Sequence, residues 1–301
     1  MRQRKNTTVI KSENIPEKAP DRLKVLERIE QLEREGRFDV DAEDDPPTLP
    51  LEPGQIDYLR KKPTSRAKVK LSYALAGRFL DEMMREKKLV IREIRGMEHL
   101  DGLTTGAILT CNHFNPFDCF TVEHLFRNSV HQGRKQLFKV IREGNYTNFP
   151  GFYGFLFRNC NTLPLSQNKK TMYNFLMAVD EILRRGDFIL IYPEQSLWWN
   201  YRKPKPLKNG AYKFAVKNRV PILPIFIALD DGENYGPDGF PIQEYTVFIE
   251  KPIYPREELA ERERVSAMRN ENYHVWKQIY EEFYGIPLEY LTENTEGGSV
   301  G

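Results

Sequence analysis

The chain has 301 residues, of which 40% are hydrophobic and 29% are charged, and this composition is typical of a folded globular protein. Its 45 basic and 43 acidic residues give a net charge of +2, so the overall charge gives no argument for nucleic-acid binding. No apolar run reaches the about 20 residues that a membrane-spanning helix needs, and the polar first 20 residues exclude a signal peptide there.

Residues 1–65 are predicted to be a partly disordered amino-terminal extension. Its first 20 residues are polar and charged without periodicity, which is typical of disorder. From Asp21 to Gly36, leucine and isoleucine recur three positions apart and predict a short amphipathic helix. An acidic, proline-rich linker follows at 39–54, and we expect no packed element in it.

A basic, amphipathic helix is predicted after the linker. Its apolar residues recur at helical spacing between Leu71 and Met84. The cations before them occur without an intervening acid: Arg60, Lys61, Lys62, Arg66, Lys68 and Lys70. Such a helix can rest on an anionic membrane, where each nearby cation contributes about 1 kcal/mol. Packing on the domain is the favoured alternative, because most surface helices are amphipathic.

The main domain is predicted at 66–290, followed by a disordered tail at 291–301. Short apolar or β-branched segments predict strands at 89–94, 106–111, 136–141, 161–165, 188–192, 222–229 and 245–251. Helices are predicted near 116–128, 169–185, 209–218 and 256–284. The alternation predicts an α/β fold with a mixed, largely parallel central sheet flanked by helices, and with an amino-terminal helical extension.

The segment 111–118 follows a predicted strand and carries the first candidate catalytic residues. Pro116 suits the first turn of a helix that Asn115 would cap, so His113 should lie in the strand-to-helix turn. The Asp118 carboxylate could then hold one imidazole nitrogen and leave the other to take a proton from a substrate hydroxyl. The alternative is a capping aspartate beside a satisfied loop histidine, and the spacing alone favours it.

A second polar segment, Pro193 to Ser196, follows the predicted strand at 188–192 and brings Glu194 to the same kind of sheet edge. The residues from Gln195 to Leu229 contain seven cations and no acid: Arg202, Lys203, Lys205, Lys208, Lys213, Lys217 and Arg219. Cations beside a carboxylate indicate an anionic substrate, such as a phosphate or a carrier protein. The alternative, a solvated helix face, is favoured for the last three.

The order of these features resembles the lysophosphatidic acid acyltransferase (glycerolipid acyltransferase) family. The similarity covers about residues 70–255. The family's H-x4-D block is similar to residues 112–118, and its later blocks are similar to 139–165, 192–198, 208–210 and 220–224.

The resemblance implies an O-acyltransferase in which His113 is the general base and Asp118 orients it. The implied donor is acyl-CoA or acyl-carrier protein, and the implied acceptor is the hydroxyl of a lysophospholipid or similar lipid. Glu194 would hold acceptor hydroxyls or neighbouring basic groups. The other implied substrate-binding residues are Lys139, Ser196, Arg202, Lys203, Lys208 and Gly210. Neither a metal nor a cofactor is implied beyond the acyl co-substrate, and no nucleic-acid partner is expected.

The chain departs from the family at two positions. The arginines that normally contact the acceptor's phosphate are replaced by Gln167 and Leu197, so an acceptor other than lysophosphatidic acid stays open. Two other functions also stay open: a thioester hydrolase that uses the same pair on water, and a catalytically silent lipid-binding or scaffolding protein.

Three further features bear on location. The three cysteines show no metal-like spacing and predict reduced thiols in the cytosol. The aromatic run 149–157 would line an acyl channel, enter the bilayer interface or form a buried helix, and the aromatic residues at 198, 199 and 201 would be interfacial or packed. The expected location is cytoplasmic and peripheral, on the inner face of the membrane.

Overall fold

The computed structural model describes residues 16–43 and 48–292. Most of the segments predicted to be disordered therefore lie outside the described residues, namely 1–15 at the start and 293–301 in the tail. The same holds for 44–47 in the acidic linker.

The centre of the described chain is one seven-stranded sheet. Its strands are β1 (Val90–Arg95), β2 (Ala107–Cys111), β3 (Leu137–Ile141), β4 (Thr162–Pro164), β5 (Phe188–Ile191), β6 (Ile222–Tyr235) and β7 (Pro241–Ile249). They lie in the order β1-β7-β6-β2-β5-β3-β4. Only β6 and β7, which are consecutive in sequence, pair antiparallel; the other pairs are parallel. The predicted fold class, a mixed and largely parallel sheet, is confirmed.

Helices cover both faces of this sheet. They are α1 (Pro20–Arg34), α2 (Pro63–Arg85), α3 (Met97–Asp101), α4 (Asp118–Arg127), α5 (Glu143–Thr147), α6 (Gly151–Asn159), α7 (Lys169–Arg184), α8 (Gly210–Asn218) and α9 (Glu261–Tyr284). The helix predicted near 256 begins five residues later, where the Glu263 carboxylate accepts the Ala260 N–H at 3.1 Å. A side chain thus satisfies a donor at the start of α9.

Burial on both faces explains why the central strands are largely apolar. Every residue of β2 is buried, as expected for a parallel strand between two helical layers. Ile108 packs with α7, α8 and α9 on one face, and Leu109 packs with α2, α3 and α4 on the other. The strand is buried throughout, and the polar segment 112–118 follows it at its carboxyl end.

The amino-terminal region packs against the domain. Ile29 and Leu32 of α1 are buried against Trp198. The described part of the linker has no helix or strand, yet its Leu51 is buried, as is Tyr58 in the stretch that joins the linker to α2. The Leu51 N–H donates to the Glu143 carboxylate at 2.7 Å, which fixes the linker to α5.

Packing on the domain and contact with a membrane, the two alternatives predicted for α2, concern opposite faces of this helix. Ala76, Leu80 and Met83 are buried on the domain, which is the packing alternative. Arg60, before the helix, is also buried, and its guanidinium donates to the Thr162 carbonyl at 3.0 Å. Leu71 is 53% exposed on the outer side. Across the described part of the chain, none of the helices has the length and apolar character to cross a bilayer.

We expect Leu32→Ala to lower the free energy of unfolding by about 2–5 kcal/mol, because it removes a fully buried side chain and leaves a cavity beside Trp198. Leu23→Ala, at a 40% exposed position of the same helix, should change it by less than about 0.5 kcal/mol. Denaturant unfolding followed by tryptophan fluorescence measures both. Equal effects of the two changes would contradict the packing of α1 on the domain.

Candidate active site

The candidate site lies where the parallel strands β2 and β5 end, side by side, at one edge of the sheet. β2 leads to His113 and β5 leads to Glu194. Parallel strands point the same way, so polar segments that follow adjacent strands meet at their carboxyl ends, where α/β folds bind ligands.

His113 and Asp118 form a direct hydrogen bond. The imidazole Nδ1 lies 2.6 Å from the Asp118 Oδ2, which also accepts the Phe114 N–H at 3.2 Å. The carboxylate is fully buried, whereas the imidazole is 25% exposed. Asp118 therefore fixes one ring nitrogen and leaves Nε2 as the nitrogen that a substrate hydroxyl can approach.

The turn that creates this contact differs from the predicted one. The prediction that Asn115 caps the helix and that Pro116 lies in its first turn was wrong, since α4 begins at Asp118 after Phe117. The Asn115 side-chain oxygen instead accepts the Phe117 N–H at 2.7 Å. An asparagine that binds the backbone two residues on forms a local turn in place of helix. This turn directs the Asp118 carboxylate back towards His113.

Tyr192 completes the contacts of the pair and was given no role in the sequence analysis. Its hydroxyl donates to the Asp118 Oδ1 at 2.8 Å, and its ring stacks on the His113 imidazole with centroids 4.1 Å apart. Burial, reinforced by the Asp118 charge, raises the pKa of the Tyr192 hydroxyl, so this group stays a donor at neutral pH. Its position directly after β5, at the sheet edge that carries the site, is the sequence feature from which this role could have been predicted.

Glu194 ties the two loops together. It is 1% exposed; one oxygen accepts the His113 N–H at 3.0 Å and the other accepts the Lys205 N–H at 2.8 Å. The Lys205 ammonium lies 3.5 Å from this carboxylate and donates to the Ser196 carbonyl at 2.7 Å. Burial raises the pKa of Glu194 and lowers the pKa of Lys205, and each partner's charge opposes the other's shift. Of the two predicted roles of Glu194, the observed contacts match the holding of a basic group.

The structure places the other predicted site residues in contacts within the chain. Ser196 is buried beside Lys205, and Gly210 begins α8. Each predicted cation has a carboxylate partner: Lys139 with Glu123 at 2.6 Å, Arg202 with Asp231 at 2.7 Å, Lys203 with Glu33 at 2.6 Å and Lys208 with Asp39 at 3.0 Å. Thus His113, Asp118, Glu194 and Ser196 are brought together, whereas Lys139 of β3 is buried against Glu123 of α4. The substrate-binding role of these residues stays a prediction.

Residues 38–41 line the back of the loop that follows Glu194. The Ser196 hydroxyl donates to the Phe38 carbonyl at 2.6 Å, and the Trp198 indole N–H donates to the Val40 carbonyl at 2.7 Å. The Leu197 N–H donates to the Asp41 carboxylate at 2.8 Å. Trp198 is fully buried, so of the two predicted positions for this side chain, packed or at a membrane interface, the structure shows the packed one.

A cleft of about 340 Å³ lies at the ends of β3 and β4, on the same sheet edge. Arg142, which follows β3 and was not predicted, pairs with Asp41 and donates to the Gln195 carbonyl at 2.6 Å. The cleft is thereby connected to the loop that carries Glu194. Its lining residues are Thr48, Arg142, Glu143, Gly144, Leu165, Ser166 and Gln167.

Aromatic rings lead away from the site towards α6. Phe117 contacts Phe120, which contacts Phe79 at a centroid distance of 5.5 Å, and Phe79 contacts Phe152 at the same distance. Phe152 is 40% exposed and Tyr153 is 45% exposed. The run 149–157 is therefore only partly buried, and its aromatic face reaches the surface.

Residues 91–228 match the family model described as Acyltransferase. The chain is also similar to the crystal structure of the 1-acyl-sn-glycerophosphate acyltransferase PlsC from Thermotoga maritima, with 18% identity, a TM-score of 0.48, and coverage of 77% of this chain and 87% of that chain. No curated protein matches the sequence. The residues that match the family model include His113, Asp118 and Glu194.

We expect Lys205→Met to lower the free energy of unfolding by about 3–5 kcal/mol, because it leaves the buried Glu194 carboxylate without a counterion. Lys208→Met removes an exposed ion pair with Asp39 and should change it by at most about 1 kcal/mol. Urea unfolding at pH 7 measures both. A Lys205→Met protein as stable as the Lys208→Met control would refute the buried pair.

Proposed function

We propose that the chain is an acyltransferase that moves a fatty acyl group from a thioester to the hydroxyl of a glycerolipid-type acceptor, and the match of residues 91–228 to the Acyltransferase family model supports this. The observation that carries this proposal is the bond between His113 Nδ1 and the buried Asp118 carboxylate. The donor is acyl-CoA or acyl-carrier protein, and the acceptor is a lysophospholipid or a similar lipid. No further cofactor is proposed.

The chemistry follows from the geometry of the pair. The acceptor hydroxyl gives its proton to His113 Nε2 while its oxygen attacks the thioester carbonyl carbon. When the tetrahedral intermediate collapses, the C–S bond breaks and the thiolate leaves with the proton that the imidazole holds. Asp118 keeps the other nitrogen protonated and faces the positive charge that develops on the ring. General-base catalysis contributes about 10²–10⁴-fold, and the positioning of both substrates contributes further.

Two residues position the base without touching the reacting atoms. Glu194 fixes the backbone at His113 through its N–H. Tyr192 holds the second Asp118 oxygen and supports one face of the imidazole. These contacts restrict the ring to the orientation that the transfer requires, and such restriction accelerates a reaction between bound groups.

We also propose a peripheral contact with the cytoplasmic face of a membrane. The exposed aromatic residues of α6 and the exposed Leu71 of α2 support it, since α2 packs on α6. Exposed cations lie at and before the start of α2: Lys61, Lys62, Arg66, Lys68 and Lys70. Aromatic residues beside cations are typical of proteins that rest on an anionic bilayer.

We expect His113→Ala and Asp118→Asn each to lower acyl transfer by about 10²–10⁴-fold, because they remove the base or its orienting carboxylate. His274→Ala, at an exposed histidine of α9, is the matched control and should retain turnover. Radiolabelled acyl-CoA and acyl-carrier protein are assayed against a panel of lyso-lipids. Full turnover in both variants overturns the mechanism, and thioester consumption that needs no acceptor supports the hydrolase instead.

We expect Tyr192→Phe to lower kcat by about tenfold with little change in KM, because a hydrogen bond to a charged group contributes about 1.5–3 kcal/mol. Phenylalanine keeps the ring that stacks on His113, so the loss reports the hydroxyl alone. Tyr173→Phe, at an exposed position of α7, is the control. Steady-state kinetics separate kcat from KM. An unchanged kcat, or a loss confined to KM, would exclude the positioning role.

A further inference from the structure

We propose that the cleft at the ends of β3 and β4 binds the acceptor's headgroup and selects an uncharged, polyhydroxylated headgroup over a phosphomonoester. This inference rests on the proposed function, since it names the substrate class of the same site. The observation that carries it is the charge of the cleft, where the Arg142 guanidinium is neutralised by the chain's own Asp41.

The cleft is placed to receive a headgroup. In the sheet, β3 is separated from β2 by β5 alone. Adjacent strands are about 4.8 Å apart, so the cleft begins about 10 Å from the strand that positions His113. Arg142 also contacts the Gln195 carbonyl, directly after Glu194. An acceptor whose hydroxyl meets His113 can therefore extend its headgroup along the sheet edge into the cleft.

Among the described residues, the cleft and its Arg142–Asp41 pair hold two carboxylates and one cation. Besides the Arg142–Asp41 pair, its lining contains Glu143, which is buried. Glu143 accepts the Leu51 N–H at 2.7 Å and the Ser166 hydroxyl at 2.8 Å. A phosphomonoester carries about −1.5 to −2 charges at pH 7, so it would enter beside a like charge and would have to compete with Asp41 for the guanidinium.

The cations that follow Glu194 do not compensate for this charge. Among the described residues, the cations after Glu194 that the resemblance made candidates for phosphate binding are held by acids: Arg202 by Asp231, Lys203 by Glu33 and Lys208 by Asp39. The buried Lys205 faces Glu194. Two of these four acids, like Asp41, come from the segment 33–41, which supplies a built-in set of anions to this edge.

Asp41 is a fixed part of the structure. Its second carboxylate oxygen accepts the Leu197 N–H, and the adjoining Val40 carbonyl accepts the Trp198 indole N–H. Withdrawing this segment to admit a phosphate would uncover Trp198, which is fully buried. Apolar burial and the backbone hydrogen bonds therefore keep Asp41 on Arg142.

The remaining lining suits hydroxyl groups. The Gln167 side chain has a carbonyl that accepts and an amide that donates, and Thr48 contributes a hydroxyl that does both. Such groups bind the hydroxyls of glycerol or a sugar without a net charge. The expected acceptor is a monoacyl lipid with a glycerol or glycosyl headgroup.

The experiment compares three acceptors with the same acyl chain in mixed micelles: 1-acylglycerol, 1-acyl-3-glycosylglycerol and 1-acylglycerol 3-phosphate. With the full chain and a radiolabelled thioester donor, we expect kcat/KM for the better neutral acceptor to exceed that for the phosphate by at least about tenfold. Asp41→Asn keeps an oxygen for the Leu197 N–H but removes the charge that Asp41 places on Arg142, and it should shift this ratio towards the phosphate by about tenfold. Gln167→Arg, which adds a cation to the cleft, should shift it the same way.

Glu35→Gln is the control, because it removes one charge from the same segment outside the cleft and should leave the ratio within about twofold. A wild-type preference for the phosphate acceptor overturns this inference and leaves the proposed function standing. A shift in the control as large as in Asp41→Asn overturns the assignment of the cleft. Absence of transfer to all three acceptors and to other lyso-lipids overturns the proposed function itself, and this inference with it.

Discussion

The hydrogen bonds of the buried Glu194 carboxylate hold the site together. Its two oxygens accept backbone N–H groups from the loop after β2, at His113, and from the later loop at Lys205. A buried carboxylate is stable only when its oxygens and its charge are satisfied, so both loops must keep this register. The position of the imidazole is consequently set by contacts across the sheet edge together with those of the short turn that carries it.

A part of the chain outside the matched residues 91–228 completes this arrangement. Trp198 is buried by α1, and the loop around it is bonded to residues 38–41. A loop after a strand is ordinarily the most mobile part of an α/β site. Here the amino-terminal segment covers its back, so the face towards His113 is preorganised. The extension therefore acts on the site through packing and charge, with no chemistry of its own.

The sequence predicted the sheet well because the strand segments are apolar runs between polar turns, a pattern that local burial produces. The helices α3 and α5 were not assigned, since five residues give too few turns for a helical period, and α6 was only one of the alternatives for the run 149–157. The contacts that build the site are harder to predict. Tyr192 meets Asp118 from 74 positions away, and Asp41 meets Leu197 from 156 positions away. Such pairings depend on which segments become neighbours in the folded chain, and residue spacing does not encode this.

The cations between 202 and 219 show that the charge of the site is likewise hard to predict from the sequence. In the sequence they form an acid-free stretch, which indicated an anionic ligand. In the folded chain, Lys203 and Lys208 are neutralised by acids of residues 33–39. Ion pairs of this kind restrain a loop but leave little field to attract a dianion. The charge of a site is therefore the sum over all segments that reach it, and here acids of the distant amino-terminal segment pair with Arg142, Lys203 and Lys208.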